Sequence, residues 1–296
     1  MGKASRSKRD GTRREKIAAQ RARERRAEIR NRVLLASGSI VVVIAVVVAF
    51  VLVKANSKAP ASSGANGPTG AALASVVSDT TGVPASTLNA VGAGAGVTGL
   101  PTSISGSPLA SGGEPEVLYE GAEYCPYCAA ERWSMVVALS RFGTFSNLST
   151  VHSSSTDQFP NTPTWTFYHS TYTSKYVTFV PVETLTNIPQ GSSYTTLQTP
   201  TSQQQALVNK YDGSQGSIPF IDFGNKYMIS GASYSPQLLA GKTWSQIASA
   251  LKDPSSPIAK AVDGTANYVT AAICKLTSNQ PATACTSVVK GLEAKI

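Results

Sequence analysis

Hydrophobic positions along the chain fall into three kinds of run. Val33 to Val53 holds 21 residues without a charge, and only Ser37 and Ser39 carry a polar side chain. A helix of that length, at about 1.5 Å per residue, reaches across about 30 Å of hydrocarbon, so the run predicts a transmembrane helix over 33–53. Helical spacing recurs in Leu73, Val76, Val77, Leu88 and Val91, in the stretch from Ala129 to Phe142 that Gly143 ends, and in "PTSQQQALVNKYDG" up to Gly213. It returns in Leu238, Leu239, Trp244, Ile247 and Leu251, and in a tail that reads as two helices around the turn Asn279-Gln280-Pro281. Short β-prone runs form the third kind: Val117 to Gly121, Asn147 to Ser155 and Lys175 to Thr184. Ile218–Phe223 and Lys226–Ser230, joined at Gly224-Asn225, predict a hairpin. No internal repeat appears.

Charge then sets the orientation. Residues 1–32 hold 13 Lys/Arg and 4 Asp/Glu, which accounts for the whole net charge of +9, while the remainder balances at 13 of each sign. Only Lys54 and Lys58 closely follow the span. The positive-inside rule therefore puts the head, 1–32, in the cytoplasm and everything after the span outside. The basic head is read as a topogenic, lipid-facing helix, with no nucleic-acid partner expected. "SKA" at Ser57–Ala59 is a poor cleavage site, so the span is read as a retained anchor. Residues 54–113 are Ala-, Ser- and Gly-rich, predicting a tether to about Gly70 followed by a lead-in with short ordered turns.

Chemistry concentrates in "EYCPYCAAERW", Glu123 to Trp133. Zinc wants four nitrogen or sulfur ligands, usually in two close pairs, but Cys274 and Cys285 are widely spaced and His152 and His169 lack finger spacing. Haem attachment needs a histidine where Ala129 stands. Neither a metal nor a cofactor is expected. Two readings of Cys125 and Cys128 stay open on the motif alone: a permanent disulfide in an inert domain, or a redox pair. In the redox reading Pro126 opens a helix whose N-terminus stabilises the Cys125 thiolate. Cys128 then resolves the mixed disulfide, and Pro126 and Tyr127 tune the pair. Trp133 and Met135 read as core, His152 as solvated, and Tyr168, Tyr172 and Tyr176 as an aromatic β surface.

"AEYCPYC", "SIPF" (Ser217–Phe220) and "FGNKYMISGA" together resemble the thioredoxin superfamily. The resemblance implies that Pro219 is a cis-proline beside Cys125 and that the Ile218 backbone pairs with an extended substrate segment. The chain departs from that family in three ways. Tyr119 stands where the family carries a buried acid, leaving Glu120 and Glu123 as candidate proton relays; the interval from Cys128 to Pro219 is long; and no Gly-Gly follows the hairpin. More narrowly, "GAEYCPYCAAERW", "FVPVE" and "AAICKLTSNQPATAC" resemble a membrane-tethered, thioredoxin-like family known as domain of unknown function 929, over about residues 71–293. Cys274 and Cys285 are assigned to a structural disulfide across the helical tail.

The expected fold is therefore α/β: a thioredoxin-like central sheet with flanking helices over 114–296, an inserted Ser/Thr/Tyr-rich segment at 153–205 and a C-terminal helical hairpin. The expected function is extracytoplasmic thiol–disulfide exchange with cysteine-bearing client proteins and a redox recycling partner. The alternative is a non-catalytic binding or scaffold module with structural disulfides.

Overall fold

The computed structural model describes residues 67–213 and 216–296. The basic head, the span over 33–53 and the tether as far as residue 66 lie outside the described residues, and among those that are described no helix is long and apolar enough to cross a membrane.

The chain enters through two helices, α1 (Gly70–Thr81) and α2 (Ala85–Val91), so the lead-in predicted to hold short turns is helical. Strands β1 (Thr102–Ser103), β2 (Ala110–Ser111) and β3 (Glu114–Gly121) follow, then α3 (Pro126–Leu139). Seven short strands come next: β4 (Gly143–Ser146), β5 (Ser149–His152), β6 (Pro163–Thr166), β7 (Thr171–Ser174), β8 (Thr178–Glu183), β9 (Leu185–Gln190) and β10 (Ser193–Thr196). Helix α4 (Ser202–Asp212) leads to the hairpin β11 (Phe220–Phe223) and β12 (Tyr227–Ser230). A 3-10 turn (Pro236–Leu239) and helices α5 (Trp244–Ala250), α6 (Pro257–Leu276) and α7 (Ser287–Leu292) complete the chain.

The central sheet is mixed, in the order β1-β12-β11-β3-β2, with β8 also pairing β3. Strands β3 and β8 are parallel, Gly121 lying opposite Glu183, and β11 is antiparallel to β3, Phe220 lying opposite Glu120. Seven α-helices accompany this sheet among the described residues. At the hairpin turn Gly224 and Asn225 both have positive φ, 63° and 56°, and the Phe223 carbonyl accepts from the Lys226 N–H at 3.0 Å. Glycine and asparagine tolerate that region, and its twist suits a tight hairpin. The stretch between α3 and α4 also forms three small antiparallel ribbons, β4–β7, β5–β6 and β9–β10.

Alternation along β3 divides the core. Val117 and Tyr119 join the large cluster with Trp133, Trp165, Phe167 and Ile273, whereas Leu118 packs with Val182, Val208 and Phe220 towards α4. Helix α3 is buried from Cys128 to Leu139, so its polar side chains need internal partners. Glu131 accepts from the Ser233 N–H (2.8 Å) and hydroxyl (3.1 Å), and the Ser134 hydroxyl donates to the Val262 carbonyl (2.9 Å). The lead-in is tied down by Asn267, whose amide donates to the carbonyls of Leu88 and Gly92, each at 2.8 Å. At the far end Cys274 and Cys285 form a disulfide that links α6 to the segment before α7.

Candidate functional site

Strand β3 stops at Gly121, and four residues later Cys125 caps helix α3. Pro126 occupies the first helical turn, where its missing N–H removes nothing from the helix. The Cys125 sulfur accepts from the Cys128 N–H at 3.3 Å, as an N-cap oxygen would, and its thiol donates to the Ile218 carbonyl at 3.8 Å. The Ile218–Pro219 peptide bond is cis. Residues distant in sequence, Cys125, Cys128, Ile218 and Pro219, thus meet at the end of the central sheet, with both cysteines free.

The two thiols are unequal. Cys125 is 5 % exposed and Cys128 is fully covered. A hydrogen bond from the Cys128 side chain holds the Cys125 pKa below its ordinary value; burial opposes this, and the Cys128 backbone N–H and the charge of Arg132 assist. Burial, with the Cys125 sulfur next to it, pushes Cys128 well above the ordinary thiol range. The Cys125 thiol is therefore the more readily deprotonated of the two.

Around the pair the predicted residues separate. Tyr127 is 38 % exposed, donates to the Gln158 side-chain carbonyl at 2.9 Å and meets the edge of Phe159. Glu123 accepts from the Thr166 hydroxyl at 2.7 Å; burial raises its pKa, with Thr166 and Arg132 opposing. Glu120 alternates onto the Leu118 face of β3, away from Tyr119, and one of its carboxylate oxygens is buried without a partner among the described residues. The proposed relay carboxylates are therefore separated: Glu120 is on the Leu118 face of β3, and Glu123 lies beyond the strand, bonded to Thr166. Tyr119 lies on the α3 face, where its ring stacks edge-on against Phe167. His152, read as solvated, instead packs against Trp244 with ring centroids 4.4 Å apart.

Several residues at the site were not anticipated. Arg132, one turn beyond Cys128, forms a fully buried ion pair with Glu183. Tyr124, which precedes Cys125, lies flat against Tyr194 of β10, centroids 4.2 Å apart and rings within 5° of parallel. The Tyr194 hydroxyl donates to Ser154, whose backbone N–H donates to the Tyr124 carbonyl. The available signal for the ion pair was Arg132 beside Glu131 inside the apolar stretch "CAAERWSMVV" and Glu183 ending "FVPVE", since charges in buried runs need partners. Among the described residues no cluster of three or more His, Cys, Asp or Glu side chains is arranged to hold a metal ion.

No curated protein and no solved structure matches the chain. The family model described as domain of unknown function DUF929 matches residues 101–275, more than half of the sequence, including both cysteines of the motif and the cis-proline. The chain belongs to the DUF929 family.

Proposed function

We propose that this DUF929 protein is a thiol–disulfide oxidoreductase of thioredoxin-like build, acting through Cys125 and Cys128. The observation that carries the reading is the unequal pair at a helix N-terminus, its outer sulfur activated and set against the residue before a cis-proline. The order of parts lends support: β8 parallel to β3, an antiparallel β11–β12 hairpin on the other side, and the cysteine helix leaving the end of β3.

In the reductive direction the Cys125 thiolate attacks one sulfur of a client disulfide. A Cys125–client S–S bond forms, the client S–S bond breaks, and the second client sulfur leaves as a thiolate. Cys128 then loses its proton and attacks the Cys125 sulfur, forming the internal disulfide and releasing the first client sulfur. Two electrons pass to the client, and the proton from Cys128 reaches a client thiolate through solvent. The oxidative direction is the reverse, and the partner's reduction potential selects between them. The proposal sets this chemistry outside the cytoplasm behind the span at 33–53, supported by the 13 Lys/Arg that precede it.

Cys128→Ser tests the reading in the full chain. Expressed in cells, it should accumulate reductant-sensitive adducts through Cys125 that vanish in the Cys125→Ser/Cys128→Ser protein. Well-expressed protein without adducts sinks it. The small exposure of Cys125 favours one rival, a scaffold with a structural bond. In that case the oxidised pair resists mild dithiols until the domain unfolds.

A further inference from the structure

Next to the two cysteines lies an ion pair that the exchange steps above leave without a role. Arg132 Nε donates to Glu183 Oε1 at 2.9 Å and Nη2 to Oε2 at 2.6 Å, with both side chains fully covered. Nη2 also donates to the Ala122 carbonyl at 2.8 Å, three residues before Cys125. Nη1 is buried with no partner among the described residues, and the same holds for the Tyr119 hydroxyl, whose ring lies 5.8 Å from the guanidinium carbon.

Stability alone does not explain such a pair. Two buried charges lose their hydration, and well-packed apolar residues in their place are often as stable or more so. The placement is informative instead. Arg132 follows Cys128 by four residues, so the two share one face of α3. Glu183 occupies two of the three guanidinium nitrogens and leaves Nη1 uncompensated. Arg132 acts on both thiols in the direction of the thiolate.

We propose that Arg132, clamped by Glu183 and the Ala122 carbonyl, is a positioning residue for the cysteine pair: a fixed buried cation that supports the Cys128 thiolate in the resolving step and favours the reduced state. The inference rests on the redox reading. It also answers what stands in for the buried acid that Tyr119 replaces. A cation eases the loss of the Cys128 proton by stabilising the anion left behind and need not accept the proton itself; the proton leaves to solvent and then to the departing client thiolate.

The test uses the full chain, equilibrated in glutathione buffers and titrated by thiolate absorbance. Arg132→Met should raise the apparent thiol pKa by about one unit and move the pair about tenfold towards the disulfide, about 30 mV. Arg132→Lys should recover most of both, and Glu183→Gln should shift both in the opposite sense. If Arg132→Met does not fold, Arg132→Met/Glu183→Leu removes both charges together, leaves neither buried alone, and should shift both in the same sense as Arg132→Met, by less. Variants that change only the thermal midpoint, with titration and equilibrium as in the unaltered chain, overturn the proposal and leave the redox reading standing. An unaltered chain with no thiol titrating below the ordinary range overturns the redox reading itself.

Discussion

Asp263 and Glu131 are carboxyl groups covered by protein on every side. Burial raises Glu131 to about 7, opposed by its bonds from Ser233, and raises Asp263 to about 8, opposed by the Arg141 charge. Neither Asp263 oxygen has a hydrogen-bond partner among the described residues. A carboxyl group whose pKa rises on folding binds its proton more tightly in the native state. Its contribution is full below the unfolded pKa, near 4, and is lost as the pH climbs through the folded value. Stability should therefore fall between about pH 4 and pH 8 from this source. Asp263→Asn should flatten the fall, raising stability by a few kcal/mol at about pH 9 and little at about pH 5. Denaturant titrations at the two pH values check this, and equal effects at both would refute it. At this scale the sequence was legible where chemistry is compressed into a few adjacent residues, as in Cys125, Pro126 and Cys128. It was opaque for Arg132 and Glu183, which lie 51 residues apart and meet only because β8 lies alongside β3. That Glu120 lies on the face opposite Tyr119 was readable in principle, because side chains alternate along a strand ending at Gly121.

The segment that follows α2 crosses α6 closely. A Cβ on Gly264 of α6 would stand 2.8 Å from the Gly94 Cα and 3.1 Å from the Ala93 carbonyl. Alanine normally gains up to about 1 kcal/mol over glycine inside a helix. Here the neighbour is backbone and cannot swing aside, and overpacking typically costs about 1–3 kcal/mol. Gly264→Ala should therefore destabilise on balance, and limited proteolysis should cut first near residues 92–98. A rise in thermal midpoint would contradict that. The apolar spacing of Leu73, Val76, Val77, Leu88 and Val91 foreshadowed α1 and α2, and the Gly224-Asn225 turn foreshadowed β11–β12. The ribbons β4–β7 and β9–β10 were hidden, because their Ser, Thr and Tyr residues show no apolar face and their partners are set by long-range packing.

Across the molecule the four cysteines divide into two populations. Cys274 and Cys285, almost fully covered, staple the C-terminal segment, while Cys125 and Cys128 are free thiols. Closing so short a loop contributes about 2–3 kcal/mol in the entropic account. Cys274→Ser/Cys285→Ser should cost about that much by chemical denaturation and leave the Cys125 titration where it was. A shift in that titration would mean that the staple and the reactive end are coupled.

The flat stack of Tyr124 on Tyr194 fixes the residue next to Cys125, and with it part of the surroundings of that sulfur. Cys125 is only 5 % exposed, so a slender reagent has an advantage over a bulky one in reaching its sulfur. Reactivity here becomes a question of bore as well as electronics. A small haloacetamide should alkylate Cys125 well ahead of a maleimide carrying a bulky polymer, and removing the ring with Tyr194→Ala should narrow the gap. On the exchange proposed above, a disulfide recessed in a rigid domain would be sieved out, and one carried on a protruding or unfolded stretch of chain would pass.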